Sequence, residues 1–356
     1  MAVVYLARMS PEGRPESVEG KVRRLFDAAG LGECVEPEDI VAVKVHIGER
    51  GNKTHVPARY VRPIVDKVKA RGGRPFLTDT NTLYKGMRSD AVDHIALAEE
   101  HGFSLEGVGA PFIVADGLLG HNEVEVEIDG ELHKEVAVAD ILADVQAIVA
   151  ASHLTGHPLT GFGGTLKNLG MGFSSRKGKL AQHSKMPPRV DSEKCKGCGT
   201  CIRWCPVGAA EVRRNAAFIV EEKCISCGEC LAVCRFGAVS FSWDQGSEVL
   251  QRRMVEHAWG AVMGKEGKAG YFLFLTSVTK GCDCFGDPGK PLFPDIGVLA
   301  SQDPVAIDQA GLDLVEQETG KSLSEWAYPQ VDPTVQLEHA ERIGMGSRDY
   351  ELVGVA

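Results

Sequence analysis

The sequence lacks several features that would decide its class at once. No stretch approaches the about 18 consecutive apolar residues of a membrane-spanning helix. The N-terminus lacks a charged region followed by a long apolar run, so we expect no signal peptide and a cytoplasmic protein with reduced thiols. An excess of basic residues is also missing, because the net charge is −10, and this argues against a nucleic-acid partner.

Cysteine is nearly absent from the first half of the chain, where Cys34 is the single one in 190 residues. Eight of the eleven cysteines fall between Cys195 and Cys234, and the last two are Cys282 and Cys284. An odd total and such crowding disfavour a disulfide framework and favour metal binding.

The crowded segment contains an internal repeat. The spacing C-x2-C-x2-C-x3-C occurs twice, and the second copy starts 29 residues after the first. This is the pattern of bacterial two-cluster ferredoxins, in which the last cysteine of each copy serves the other cluster. A pair of zinc sites is the alternative, but zinc needs two C-x2-C pairs per site. We therefore predict two 4Fe–4S clusters, one held by Cys195, Cys198, Cys201 and Cys234 and the other by Cys224, Cys227, Cys230 and Cys205.

We place this ferredoxin-like module at residues 187–247. It contains eight basic and seven acidic residues, whereas free ferredoxins are usually acidic. We therefore expect an electron relay inside a larger protein. The chain carries no Rossmann fingerprint for a nicotinamide cofactor, so an external electron donor or acceptor such as ferredoxin or flavodoxin is needed.

The flanking segments, residues 1–186 and 248–356, alternate strand-like and helix-like stretches. An apolar run at 40–45 is followed by a helical pattern over 57–71, which two glycines terminate. This order predicts an α/β host domain in two parts, with a mostly parallel sheet and helices on both faces. The module would then be an inserted α+β domain of the bacterial ferredoxin type, or would lie between two α/β halves.

Polar residues follow the apparent strands, where open α/β sheets bind their ligands. They include His46, Asp79, His153 and His157. A glycine-rich turn at 161–168 carries Lys167 and can bind an anion through its backbone amides, although it is neither a Walker A motif nor a Rossmann fingerprint. The basic residues that follow it are expected to form a solvated loop, or else to attract an acidic substrate or partner: Arg176, Lys177, Lys179 and Lys185.

The segment Cys282, Asp283, Cys284 leaves three alternatives open. The two thiols could bind a metal or a third cluster together with His153 or His157, they could form a reversible disulfide, or they could be plain thiols. We expect the histidines to donate protons, because histidine titrates near neutrality. The residues expected to line one cleft are His153, His157, Lys167, Asn168, Cys282, Asp283 and Cys284.

Several of these segments resemble the Domain of Unknown Function 362 family. They are the turn at 163–168, the segments 280–284, 294–297 and 301–308, and the two-cluster insert. The resemblance spans nearly the whole chain and implies an iron–sulfur protein with an α/β host, but no reaction. The turn is also distantly similar to that of nickel-pincer lactate racemases, but its spacing differs and those enzymes lack the module, so this similarity concerns the fold alone.

These observations favour a redox enzyme whose two clusters pass electrons to a small-molecule substrate or cofactor in the host cleft, with no nucleic-acid or membrane partner. One alternative is an electron-carrier or adaptor subunit without its own substrate. Another is an enzyme of non-redox chemistry whose clusters are structural.

Overall fold

The computed structural model describes residues 1–9, 17–183, 187–224, 228–240 and 246–355. Cys227 and Lys185, which figure in the predictions above, lie outside the described residues. The described strands are β1 (Ala2–Arg8), β2 (Ile40–Lys44), β3 (Arg74–Asp79), β4 (Phe112–Val114), β5 (Glu123–Glu127), β6 (Glu135–Ala139), β7 (Ala147–His153), β8 (Thr155–His157), β9 (Gly161–Gly163), β10 (Arg189–Val190), β11 (Ala210–Arg213), β12 (Ala216–Ile219), β13 (Val239–Ser240), β14 (Ala269–Leu275), β15 (Gly297–Ser301) and β16 (Tyr350–Gly354).

Helices connect and cover these strands. Short 3-10 helices span Leu31–Cys34, Asp140–Ala143 and Glu221–Lys223. The α-helices are α1 (Val18–Ala28), α2 (Ala58–Ala70), α3 (Ala91–Glu100), α4 (Leu105–Val108), α5 (Thr165–Gly170), α6 (Arg176–His183), α7 (Thr200–Trp204), α8 (Glu229–Ala232), α9 (Ser247–Val262), α10 (Pro304–Thr319), α11 (Leu323–Trp326) and α12 (Thr334–Arg342). The described part of the chain contains no helix with the length and apolar character that crossing a membrane requires.

Eight strands form one central sheet in the order β16-β1-β15-β14-β7-β2-β3-β4. All neighbours pair in parallel except β15, which runs antiparallel to both β1 and β14. The middle strands β7 and β14 are buried along their whole length, as expected for a parallel sheet covered on both faces. The predicted α/β class with a mostly parallel sheet is therefore confirmed.

The hydrophobic core has two halves, one on each face of the sheet. Val41 and Val43 of β2 pack on one side with apolar residues of α1, α2 and α3, whereas Ala42 points to the other side with those of α5, α9 and α10. This alternation follows from the two-residue period of a strand. Helix α2 buries Val61, Ile64 and other apolar side chains on one face, as its sequence pattern predicts.

Strands from before and after residues 187–247 share the central sheet. The described residues of the module form two small antiparallel sheets of their own, β10 with β13 and β11 with β12. The alternation of apolar and acidic residues over 124–128 and the pair Asp129 and Gly130 predict a hairpin with a two-residue turn, and the structure forms the hairpin from β5 and β6 with a longer connection. That longer loop is held by Glu256 of α9, which accepts the backbone N–H groups of Leu132 and His133.

Candidate functional site

A cleft of about 590 Å³ opens at the carboxyl ends of β2, β3 and β7. This is where an open α/β sheet binds ligands. The cleft brings together residues that lie far apart in the sequence. All seven predicted cleft residues line it: His153, His157, Lys167, Asn168, Cys282, Asp283 and Cys284.

The floor of the cleft is a buried charge network centred on Lys44. Its side chain is fully buried, and Nζ donates to Asp79 Oδ1 at 3.0 Å and to Asn168 Oδ1 at 2.8 Å. Burial alone would raise the pKa of Asp79, but Lys44 and the neighbouring cations hold it well below its usual range. Asn168 also donates to Ser152 Oγ at 3.0 Å. Both ends of its amide are thus bound within the protein, which gives Asn168 a positioning role.

Cys282 and Cys284 lie side by side in a turn at the cleft wall. The backbone N–H of Cys284 donates to Cys282 Sγ at 3.2 Å, and Lys167 Nζ lies 3.9 Å from the same sulfur. His46 Nε2 lies 3.6 Å from Cys284 Sγ. The interaction between the two thiols raises the pKa of Cys282, and burial raises it further. The same interaction and Lys167 hold the pKa of Cys284 well below its usual range. Cys284 is therefore the more acidic thiol of the pair.

The two predicted histidines are held by the protein itself. His153 Nδ1 lies 2.8 Å from Asp283 Oδ2 and its Nε2 lies 2.7 Å from the Thr276 carbonyl oxygen. Burial opposes the charge of His153, but Asp283 raises its pKa, so both ring nitrogens carry protons and donate to these oxygens. His157 Nδ1 accepts the backbone N–H groups of Leu159 and Thr160. His157 is therefore neutral with its proton on Nε2, because burial and Lys167 lower its pKa.

The contacts of His153 and His157 disfavour the alternative in which Cys282 and Cys284 bind a metal together with these histidines. Both nitrogens of His153 are engaged, and one nitrogen of His157 accepts backbone amides. In the described ranges, no group of three or more histidine, cysteine or acidic side chains is arranged around a single ion. The geometry at these two cysteines favours a thiol pair.

Two amides of the glycine-rich turn are already occupied by a side chain of the protein. The N–H groups of Thr165 and Leu166 donate to the two oxygens of Asp308 at 2.7 and 2.9 Å. Asp308 is fully buried in α10, and burial raises its pKa to about 6. The turn thus holds an internal carboxylate, and the group it offers to the cleft is the Lys167 side chain.

The basic segment after this turn was expected to be solvated, and the structure corrects this. Arg176 and Lys179 lie on helix α6 and are buried, and Lys179 Nζ donates to Thr80 Oγ1 at 2.6 Å. Burial lowers the pKa of Lys179 to about 8. Lys179 and His183 both line the cleft. Their spacing of four residues on one helix face was the signal in the sequence.

Three further cleft residues were missed by sequence reasoning. Arg88 is buried, with NH1 3.5 Å from Asp79 Oδ2, and it also donates to the Tyr84 hydroxyl. Tyr84 in turn donates to the Cys284 carbonyl oxygen at 3.4 Å. Both residues come from the connection between β3 and α3, which has no regular pattern. Lys44 was not recognised as a site residue because it belongs to an otherwise apolar strand, β2.

Two smaller cavities in the module are lined by cysteines. Cys195, Cys198, Cys201 and Cys234 line one of them. Cys205, Cys224 and Cys230 line the other. Each cavity thus contains the late cysteine of the opposite repeat, which is the grouping that the sequence spacing predicts.

Backbone amides point at several of these sulfurs. The N–H of Ala217 donates to Cys195 Sγ at 3.3 Å, and that of Ala209 donates to Cys205 Sγ at 3.1 Å. The N–H of Ala238 donates to Cys234 Sγ at 3.3 Å. Hydrogen bonds to sulfur stabilise thiolates and tune the potential of a cluster. The donor set and its surroundings therefore fit a 4Fe–4S cluster in each cavity.

The second cysteine cavity lies against helix α6. A Cβ atom at Gly228, which lines this cavity, would lie 3.5 Å from the Leu180 side chain. Glu229 Oε2 lies 3.0 Å from His121 Nε2 of the host. Helix α6 thus faces the module through Leu180 and the cleft through Lys179 and His183.

Comparisons with known proteins complete the description. A family model described as Domain of unknown function (DUF362) matches residues 41–313. No curated protein matches the chain. Among solved structures, the lactate racemase apoprotein from Thermoanaerobacterium thermosaccharolyticum is similar at 13% identity and a TM-score of 0.43, over 77% of this chain and 51% of that one. A Thermotoga maritima protein from a structural genomics consortium also gives 13% identity and a TM-score of 0.43, over 87% and 61%. The chain thus covers less than two thirds of the length of either structure.

Proposed function

The chain belongs to the family described as Domain of unknown function (DUF362), and from its site we propose that it is an iron–sulfur oxidoreductase, in which a small molecule in the cleft is reduced with electrons from two 4Fe–4S clusters. One cluster would be held by Cys195, Cys198, Cys201 and Cys234, and the other by Cys205, Cys224, Cys227 and Cys230. An external one-electron carrier such as ferredoxin or flavodoxin would supply the electrons.

The observation that carries the proposal is the crossed grouping of the cysteines. Two cavities, each lined by described early cysteines of one repeat and by the late cysteine of the other, support two clusters rather than two zinc sites. The amides that donate to Cys195, Cys205 and Cys234 add support, because a thiolate needs such donors when it is shielded from water. Bound clusters would supply single electrons.

The cleft supports an enzyme rather than a carrier without a substrate. It is separated from the second cysteine cavity by helix α6, and it contains groups that can bind and protonate a ligand. Lys167 can hold an anionic group, and His157 Nε2–H can donate a hydrogen bond. Asp283 Oδ1 has no hydrogen-bond partner among the described residues and can accept one from a ligand.

The decisive experiment is anaerobic analysis of iron, acid-labile sulfide and zinc in the purified protein. We expect about eight irons and about eight sulfides per chain, together with the paramagnetic signal of reduced 4Fe–4S clusters after dithionite treatment. Replacing Cys198 and Cys201 by serine should remove about half of the iron. Cys34→Ser is the matched control, because this thiol is fully buried in the host and should leave the iron content unchanged. Stoichiometric zinc without sulfide would refute the proposal.

A further inference from the structure

We infer that Cys284 and Cys282 act as an attacking and a resolving thiol in exchange with a small anionic disulfide bound in the cleft. This inference names the substrate class of the proposed function and relies on that function for the electrons that restore the thiols. The exchange itself needs only side chains of the described chain.

The surroundings of the two sulfurs assign their roles. Cys282 is 2% exposed, and its sulfur accepts the backbone N–H of Cys284 and lies 3.9 Å from Lys167 Nζ. Cys284 is partly exposed at the cleft wall, next to His46. The attacking sulfur must line up with the S–S bond of the incoming disulfide, which requires open space in front of it. The more accessible Cys284 is therefore the attacking residue. The donors around Cys282 would stabilise negative charge on its sulfur when it attacks in the second step.

The turn keeps the two sulfurs close enough for the second step. The Cys284 N–H bond to Cys282 Sγ and a 3.0 Å bond from the Phe285 N–H to the Cys282 carbonyl oxygen fold the segment back on itself. Two neighbouring thiols of unequal acidity supply both a nucleophile and a second thiol that can displace it, which is the requirement of dithiol exchange.

The size and lining of the cleft define the ligand. A volume of about 590 Å³ lies in the range of small-molecule sites. Leu83, Leu159, Met171 and Phe285 provide apolar walls. A disulfide with a short organic body fits this description.

The charges of the cleft favour carboxylate groups on that ligand. Asp79 is bound by Lys44, and Asp283 is bound by His153, so both carboxylates of the cleft are neutralised internally. The charge of Lys167 is opposed by the sulfur pair, whose thiols raise the lysine pKa against the effect of burial. A disulfide formed by the pair no longer opposes the lysine charge, and a carboxylate of the bound ligand would then do so.

The step balances as follows. Cys284 Sγ attacks one sulfur of the substrate disulfide, the substrate S–S bond breaks, and the first thiolate leaves with a proton from solvent. Cys282 loses its proton, its sulfur attacks Cys284 Sγ, and the second substrate thiol leaves. The substrate gains two electrons and two protons, and the protein dithiol becomes a disulfide. Two electrons from the one-electron carrier and two protons restore the dithiol.

The test traps the mixed disulfide in the protein as isolated with its metal content, under anaerobic conditions. The probe is 5,5′-dithiobis(2-nitrobenzoate), an anionic aromatic disulfide, and 4,4′-dithiodipyridine is its neutral counterpart. In the wild type we expect release of about two aryl thiols per pair and a peptide in which Cys282 and Cys284 are joined, about 2 Da lighter than the dithiol. Cys282→Ser should stop at a mixed disulfide on Cys284. Cys284→Ser should react at least about tenfold more slowly at this segment.

A second variant tests the charge argument. Lys167→Met should slow the anionic probe more than the neutral probe, whereas Cys34→Ser should change neither rate because Cys34 is fully buried. Because peptides identify the modified residue, the result is independent of the clusters. Absence of iron with normal trapping would refute the proposed function alone. An adduct on Cys282 in the Cys284→Ser variant at the wild-type rate, or no adduct on Cys284 in Cys282→Ser, would overturn this inference.

Discussion

The buried carboxylate of Glu256 offers a stability prediction whose size follows from its contacts. Glu256 is fully buried on α9 and accepts from the N–H groups of Leu132 and His133 at 2.8 Å each. It also lies 2.8 Å from His133 Nδ1 and 3.2 Å from His339 Nε2 of α12. Burial alone would raise its pKa, but these donors hold the pKa well below the usual range. One side chain thus joins α9, α12 and the β5–β6 loop.

Glu256→Gln replaces one carboxylate oxygen by an NH2 group that faces two donors. Each hydrogen bond to a charged acceptor contributes about 1.5–3 kcal/mol, so two lost bonds amount to about 3 kcal/mol at the lower bound. This loss is a large part of the free energy of unfolding of a folded domain, which is usually about 5–15 kcal/mol. We expect the urea midpoint of the variant, followed by tryptophan fluorescence, to fall accordingly at pH 7.

The pH dependence of the same variant gives an independent check. Because the folded pKa of Glu256 is lowered, its contribution is present above the unfolded value of about 4.3 and is lost as the pH falls below it. The difference between wild type and Glu256→Gln should therefore shrink toward acidic pH. Glu338→Gln is the control, since Glu338 forms an exposed pair with Arg348 and should cost less than about 1 kcal/mol. Equal midpoints for the two variants at pH 7 would refute the reasoning.

Two further perturbations test the floor of the cleft. Lys44→Met leaves Asp79 buried without its closest cation and should lower the free energy of unfolding in urea by about 3–5 kcal/mol. Arg23→Met, which breaks an exposed pair, should lower it by less than about 1 kcal/mol. Similar costs for the two variants would contradict the view that burial sets the energetic weight of an ion pair. Gly172→Ala would place a methyl group against the Asn168 carbonyl oxygen and Lys44 Nζ and should destabilise by about 1–3 kcal/mol. Gly354→Ala, with open space around the new methyl group, should be neutral, and an equally neutral Gly172→Ala variant would contradict the prediction.

Much of the fold could be predicted because its elements carry local signals. The apolar run at β2 and the helical pattern of α2, ended by glycines, predict a strand followed by a helix of the observed extent. The N-cap at Asp303 and the proline after it predict the start of α10, where Asp303 accepts from the N–H groups of Val305 and Ala306. The family match over residues 41–313 confirms the resemblance drawn from the sequence motifs.

The cleft could be predicted only where polar residues end a strand. His153 and Asp79 follow from that rule, since both terminate strands of the parallel sheet. Arg88 and Tyr84 could not be found, because their place depends on the path of an irregular connection packed against residues near 284. Lys179 was misjudged because charge suggests solvent, whereas its helix is enclosed between the sheet and the module.

The position of α6 explains why that enclosure matters. Leu180 is fully buried at the side facing the second cysteine cavity, and Lys179 and His183 are buried at the side facing the cleft. A helix of about 10 Å diameter with its side chains is the full thickness of the wall between them. Arg176 and Lys179 of this helix donate to host groups, Arg176 to the Ser89 carbonyl oxygen and Lys179 to Thr80, so their burial follows from the place of the helix in the fold.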